Sequence, residues 1–80
     1  MKILEAVAKR IRILLIEKNV TQYRLERNMG VPLGTISKLL RAKQDSVNLR
    51  TIFLICDGLD ITTDEFFNDP VLKNRTDIKY

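Results

Sequence analysis

Apolar residues recur along this chain at three- and four-residue steps, and nowhere do they alternate for long with polar ones. Leu4, Val7, Ile11, Leu14 and Leu15 fall on one helical face, while Lys9, Arg10, Arg12 and Glu17 lie elsewhere. That period predicts a first helix from about Ile3 to Lys18, closed by Asn19 in the left-handed conformation. Thr21 is suited to cap a second helix, Gln22 to Met29, on which Leu25 and Met29 are four residues apart. Gly30 ends it, because a tight interhelical turn needs a positive φ. A third helix is expected from Pro32 or Leu33 to about Arg41, with proline in the first turn, where its missing N–H costs nothing. Ile36, Leu39 and Leu40 form its inward side, and Gly34, Ser37, Lys38 and Arg41 the opposite one.

After a polar loop, Asn48 caps a fourth helix, Leu49 to Leu59, with a stripe of Leu49, Ile52, Ile55, Cys56 and Leu59. Asp60 closes it. Thr62 and Glu65 have the spacing of a capping box, which opens a short fifth helix carrying Phe66 and Phe67. Phe66 is expected in the core, whereas Phe53 lies off its helix's stripe and suits an interface. Asp69-Pro70 breaks the pattern, so the domain is read as 1–69, followed by a polar C-terminal tail, 70–80. The fold class predicted by this pattern is all-α and compact, with five helices.

Composition narrows the chemistry. The 80 residues are 45% apolar and 30% charged, which suits one globular domain. With no His and a lone Cys56, a His-Cys zinc site, a histidine proton shuttle and an intrachain disulfide are excluded. No metal or cofactor site is read from the chain. No catalytic constellation is visible either, since Asp64 and Glu65 are adjacent and diverge around a helix. The longest apolar run, Ile13 to Ile16, is far short of the ~20 residues that span a bilayer. A soluble cytoplasmic protein is expected.

The net charge of +4 is unevenly spread. Residues 9 to 50 hold ten Lys or Arg against three acidic side chains, and residues 57 to 69 hold five acidic side chains and no basic one. The basic segment contains two helices joined by a short turn at Gly30 and Val31, the helix-turn-helix plan, in which the second helix enters a DNA major groove. Its residues resemble the Cro/repressor-type (XRE) family. The resemblance runs through Thr21-Gln22-Tyr23-Arg24-Leu25, Gly30-Val31-Pro32 and Thr35-Ile36-Ser37-Lys38-Leu39. It continues in Asn48-Leu49-Arg50-Thr51-Ile52 and in the stretch from Leu59 to Phe67, covering roughly residues 7 to 67.

The resemblance implies a lambda-repressor-like fold and sequence-specific binding of double-stranded DNA by a small transcriptional regulator, a repressor acting as a homodimer in a bacterial or phage setting. It implies a recognition helix at about 33–41, with Leu33, Gly34, Ser37 and Lys38 at base-reading positions. Gln22, Tyr23, Arg41, Lys43 and Gln44 fall where phosphates are gripped. Lysine can donate to guanine O6 and N7, and leucine can touch a thymine methyl. Several positions depart from the family pattern. Glu26 stands where a small residue is usual, which implies splayed helices or a side chain bent outward to Arg27 or Lys38. Leu33 and Gly34 replace polar readers. Leu40 replaces a common glutamate, and Ala42 replaces a glycine. These departures leave an alternative: a helical protein-interaction module, or an antitoxin-like partner, with weak or no DNA binding.

Overall fold

Helix α1, Ile3–Glu17, begins where the Lys2 amide donates to the Glu5 carboxylate at 2.7 Å. The computed structural model describes residues 1–80. Leu4, Val7, Ile11, Leu14 and Leu15 are all buried along α1, as their period requires. Helix α2 spans Gln22–Met29, and the Thr21 hydroxyl accepts from the Arg24 amide at 3.0 Å. Helix α4 spans Leu49–Leu59 behind an Asn48 cap, and α5 spans Thr63–Phe67 behind a Thr62 cap.

Three of these helices end alike. Asn19, Gly30 and Asp60 take φ of 55°, 71° and 57°. The amides of Val20, Val31 and Ile61 then reach back five residues to Leu15, Glu26 and Cys56. Each closing residue is thus followed by a β-branched apolar side chain that packs on the core, the hydrophobic contact that accompanies a Schellman closure. The chain reverses at each point and lays the next helix across the previous ones. As a result α2 packs on α4, and α1 packs on both α3, Thr35–Leu40, and the C-terminal segment.

The core joins residues from α1 to α5, including Leu14, Leu25, Ile36, Ile55 and Phe66. Cys56 is buried among them, and loss of solvation, helped by the neighbouring Asp57 charge, pushes its thiol pKa up. That is the behaviour of a small core hydrophobe, not of a reactive nucleophile.

Four expectations need correction. Helix α3 spans only Thr35–Leu40, because Gly34 takes φ 93° and Pro32-Leu33 form a turn before it. Leu49 is exposed, sharing the outer side of α4 with Phe53 four residues on. The Thr62 hydroxyl accepts from the Glu65 amide, but the Glu65 carboxylate does not close the box and pairs with Lys18 Nζ at 3.0 Å. Asp69-Pro70 breaks α5 and also starts a one-turn helix. The Asp69 carboxylate accepts from the Val71 amide and opens α6, Pro70–Lys73. Residues 70–80, read as a polar tail, lie back along α1: a 3₁₀ turn over Arg75–Asp77 follows α6, Ile78 is buried, and Lys79 pairs with Lys2.

Arg10 ties this end together. Buried on α1, it donates through Nε to the Phe66 carbonyl at 2.7 Å and through Nη2 to the Glu65 carbonyl at 2.8 Å. Its Nη1 meets the Asp69 carboxylate at 3.1 Å. The arginine thereby satisfies the open carbonyls at the end of α5.

Candidate nucleic-acid interface

The fold presents α2 and α3 as a helix, a turn and a helix. The second helix has only six residues, too few to be stable by itself. Two charged side chains hold it. Glu26, on α2 and only 4% exposed, turns inward instead of outward. One of its carboxylate oxygens accepts from the Gly34 amide at 3.0 Å and the Ile36 amide at 2.7 Å. At the other end, Arg12 of α1 donates to the Leu40 carbonyl at 2.9 Å. A carboxylate thus sits at the helix's positive end and a guanidinium at its negative end, the arrangement its dipole favours. Such charge-assisted bonds are roughly twice as strong as neutral ones.

Glu26 is therefore the correction of greatest consequence. The place usually filled by a small residue holds a carboxylate because that carboxylate replaces two missing backbone partners at the start of α3. Neither Arg27 nor Lys38 is its partner. Arg27 instead donates to the Tyr23 hydroxyl at 3.0 Å, with its guanidinium 5.7 Å from that ring's centre.

The turn before α3 is fixed as well. The Thr35 amide and hydroxyl both donate to the Pro32 carbonyl, at 3.3 and 2.7 Å. Ser37 is half-buried and donates its hydroxyl to the Gly34 carbonyl at 3.1 Å. Ala42 follows α3 at φ 53°, a conformation that costs a non-glycine residue about 1 kcal/mol.

The nine residues expected at the site fall into three groups. Leu33, Lys38, Gln22, Arg41, Lys43 and Gln44 are exposed, and their side chains make no internal hydrogen bond or ion pair. Gln44 lines a shallow polar groove with Thr35, Asn48 and Thr51, where the loop from α3 meets α4. Tyr23 is exposed but already engaged by Arg27. Gly34 and Ser37 are half-buried and engaged locally. Sequence reasoning missed the supporting roles of Arg12 and Glu26. Only the second left a trace, as a charge at a position that favours a small residue.

The charge imbalance sharpens in three dimensions. Within residues 9 to 50, Arg10, Arg12, Lys18 and Arg27 are spent on internal partners. Lys9, Arg24, Lys38, Arg41, Lys43 and Arg50 remain without one, and three of these lie on or just after α3. An acidic macromolecule meeting this region finds free cations around an anchored helix.

A short, braced helix following a tight turn, with free lysine and arginine on and behind it, defines a helix-turn-helix DNA-binding domain. The family model for the Cro/C1-type HTH DNA-binding domain matches residues 10–70, and this chain belongs to that family. The chain is also similar to a solved structure, the wild-type restriction-modification controller protein C.Esp1396I, with a TM-score of 0.78. The likeness covers 92% of this chain and 94% of that one at 24% identity, and it establishes the shared fold. Among curated proteins, no sequence matches this chain. No helix is long and apolar enough to cross a membrane.

Proposed function

We propose that this protein is a sequence-specific regulator of transcription, a repressor, that inserts α3 into the major groove of double-stranded DNA. The observation that carries this reading is the set of partnerless basic side chains on and after a helix anchored at both ends. Lys38 is exposed and has all its donors available for guanine O6 and N7. Leu33 and Ser37 flank it at the groove, and Gly34 permits close backbone approach. Gln22 and Tyr23 at the start of α2, with Arg41, Lys43 and Gln44 behind α3, grip phosphates. The protein acts in the cytoplasm of a bacterial or phage-infected cell, on the nucleoid, and carries out no catalysis.

Selection from random duplexes at two salt concentrations tests the reading. One enriched motif, bound more weakly as salt rises, is the expected result. Binding to no duplex at all overturns it.

Lysines 38 and 43 separate two kinds of contact. Lys38→Ala is expected to relax preference at one base pair, costing about 1–3 kcal/mol of discrimination there. Lys43→Ala is expected to weaken all duplexes alike and to lower the salt slope by about 1. Titrations against the selected motif and a scrambled duplex, each at several salt concentrations, distinguish them. Identical profiles for the two variants contradict the assignment.

The reading includes a homodimer, since one module of this size has a small footprint and two copies read half-sites roughly 34 Å apart. Leu49 and Phe53, exposed on one face of α4, support a second copy there. Sedimentation over a concentration series is expected to show dimer alone or with DNA. A monomer throughout removes this element.

A further inference from the structure

Between Pro32 and Ser37, at the tip of the recognition segment, both hydroxyls and three of the backbone amides are already committed inside the protein. Pro32 has no N–H. The amides of Gly34 and Ile36 are held by Glu26, at 3.0 and 2.7 Å. The amide and hydroxyl of Thr35 are held by the Pro32 carbonyl, and the Ser37 hydroxyl by the Gly34 carbonyl. What the tip displays instead is the Leu33 side chain, 66% exposed between two pinned residues.

An exposed leucine on an ordinary loop needs no explanation. This one differs in its backbone. Proline fixes φ on one side, and a buried carboxylate fixes the glycine on the other. Little backbone entropy remains to be lost when the side chain meets a surface, which leaves only the rotamers of the leucine itself to be ordered. Within the major groove, the apolar group on a base edge is the 5-methyl of thymine.

We propose that Leu33 reads the 5-methyl group of a pyrimidine, thymine in ordinary DNA, and that Glu26 is the positioning residue that aims it. The inference rests on the DNA-binding reading above and specifies the chemistry at one of its contacts. The carboxylate touches no base. It acts by holding the backbone on the C-terminal side of Leu33, so that the isobutyl group projects from the same place in every encounter.

The experiment uses the full chain and the motif selected from random duplexes. Each thymine is replaced in turn by deoxyuridine, which removes the methyl group and leaves the base pair intact. Wild-type protein is expected to lose affinity about three- to five-fold at one thymine per half-site, as burial of a single methyl implies. Leu33→Ala, a change at an exposed side chain, is expected to bind thymine and uracil there equally. Glu26→Ala is expected to lose the same discrimination. Glu26→Gln keeps one oxygen able to accept both amides and is expected to restore it. A thermal melt of each variant verifies that the comparison is between folded proteins.

Specific binding in which every uracil substitution is silent overturns the proposal. So does a methyl effect that survives in Leu33→Ala. Discrimination retained by a folded Glu26→Ala protein overturns the positioning role. Failure to select any motif is a different result, because it removes the DNA-binding reading itself.

Discussion

A Phe66→Ala protein is expected to lose about 3–5 kcal/mol of stability, the range for deleting a buried aromatic ring. A domain of this size has about 4–12 kcal/mol in total, so much of the variant population would be unfolded near physiological temperature. Phe66 is 0% exposed and is the largest fully buried side chain in the molecule. It comes from a five-residue helix, whose backbone contributes little by itself and cannot readily collapse into the vacated space. Phe67 provides the control. Its ring lies 5.0 Å from that of Phe66 at 76°, but it is 44% exposed. Phe67→Ala is expected to cost about 1 kcal/mol, since part of its surface and one edge contact are lost. Urea titrations of the two variants decide the matter, and equal midpoints would contradict the core assignment.

The second large effect is expected from Arg10→Met, which keeps the length and apolar stem and removes the charge. The side chain of Asp69 is only 19% exposed and loses its cation, the Phe66 carbonyl loses its donor, and the Glu65 carbonyl keeps only the longer bond from the Asn68 amide. Removing one partner from such a buried arrangement typically costs about 3–5 kcal/mol, because the groups left behind stay desolvated. The contact to Glu17 adds little, being 3.8 Å long with a half-exposed carboxylate. Hydrogen exchange locates the damage. The amides of Val71, Leu72 and Lys73 are expected to lose protection first, since α6 depends on the Asp69 cap. The pair of Lys18 and Glu65 is more open to solvent, and Lys18→Met is expected to cost less than about 1 kcal/mol. Arg10→Met and Lys18→Met with the same midpoint would show that Arg10 has no special standing.

Much of the fold can be read from local chemistry. Caps such as Thr21, Asn48 and Thr62 act within three residues, and the closures at Asn19, Gly30 and Asp60 within five. The boundaries of α2 and α4 follow from these alone. The start of α3 does not, because it is decided by a carboxylate eight and ten residues earlier in the chain. Arg10 and Arg12 look like ordinary solvated charges in sequence. Their hydrogen-bond partners lie between 28 and 59 residues away, where no periodicity reaches. The return of residues 70–80 onto α1 is hidden for the same reason: a polar segment with one buried isoleucine carries little pattern. At the site, motif order located the helix-turn-helix. It did not reveal which polar groups were already committed inside the protein, and that commitment separates Gly34 and Ser37 from Lys38.

The brace from Glu26 also defines the smallest unit in which binding preference can be transplanted. Exchanging residues 33–38 for those of another family member would leave a carboxylate beneath a backbone it no longer fits, or a new backbone without its acceptor. A graft must carry position 26 along with the segment it supports. On the proposed reading, the side chains set at the base pairs and the carboxylate that braces their backbone have to be engineered as one piece.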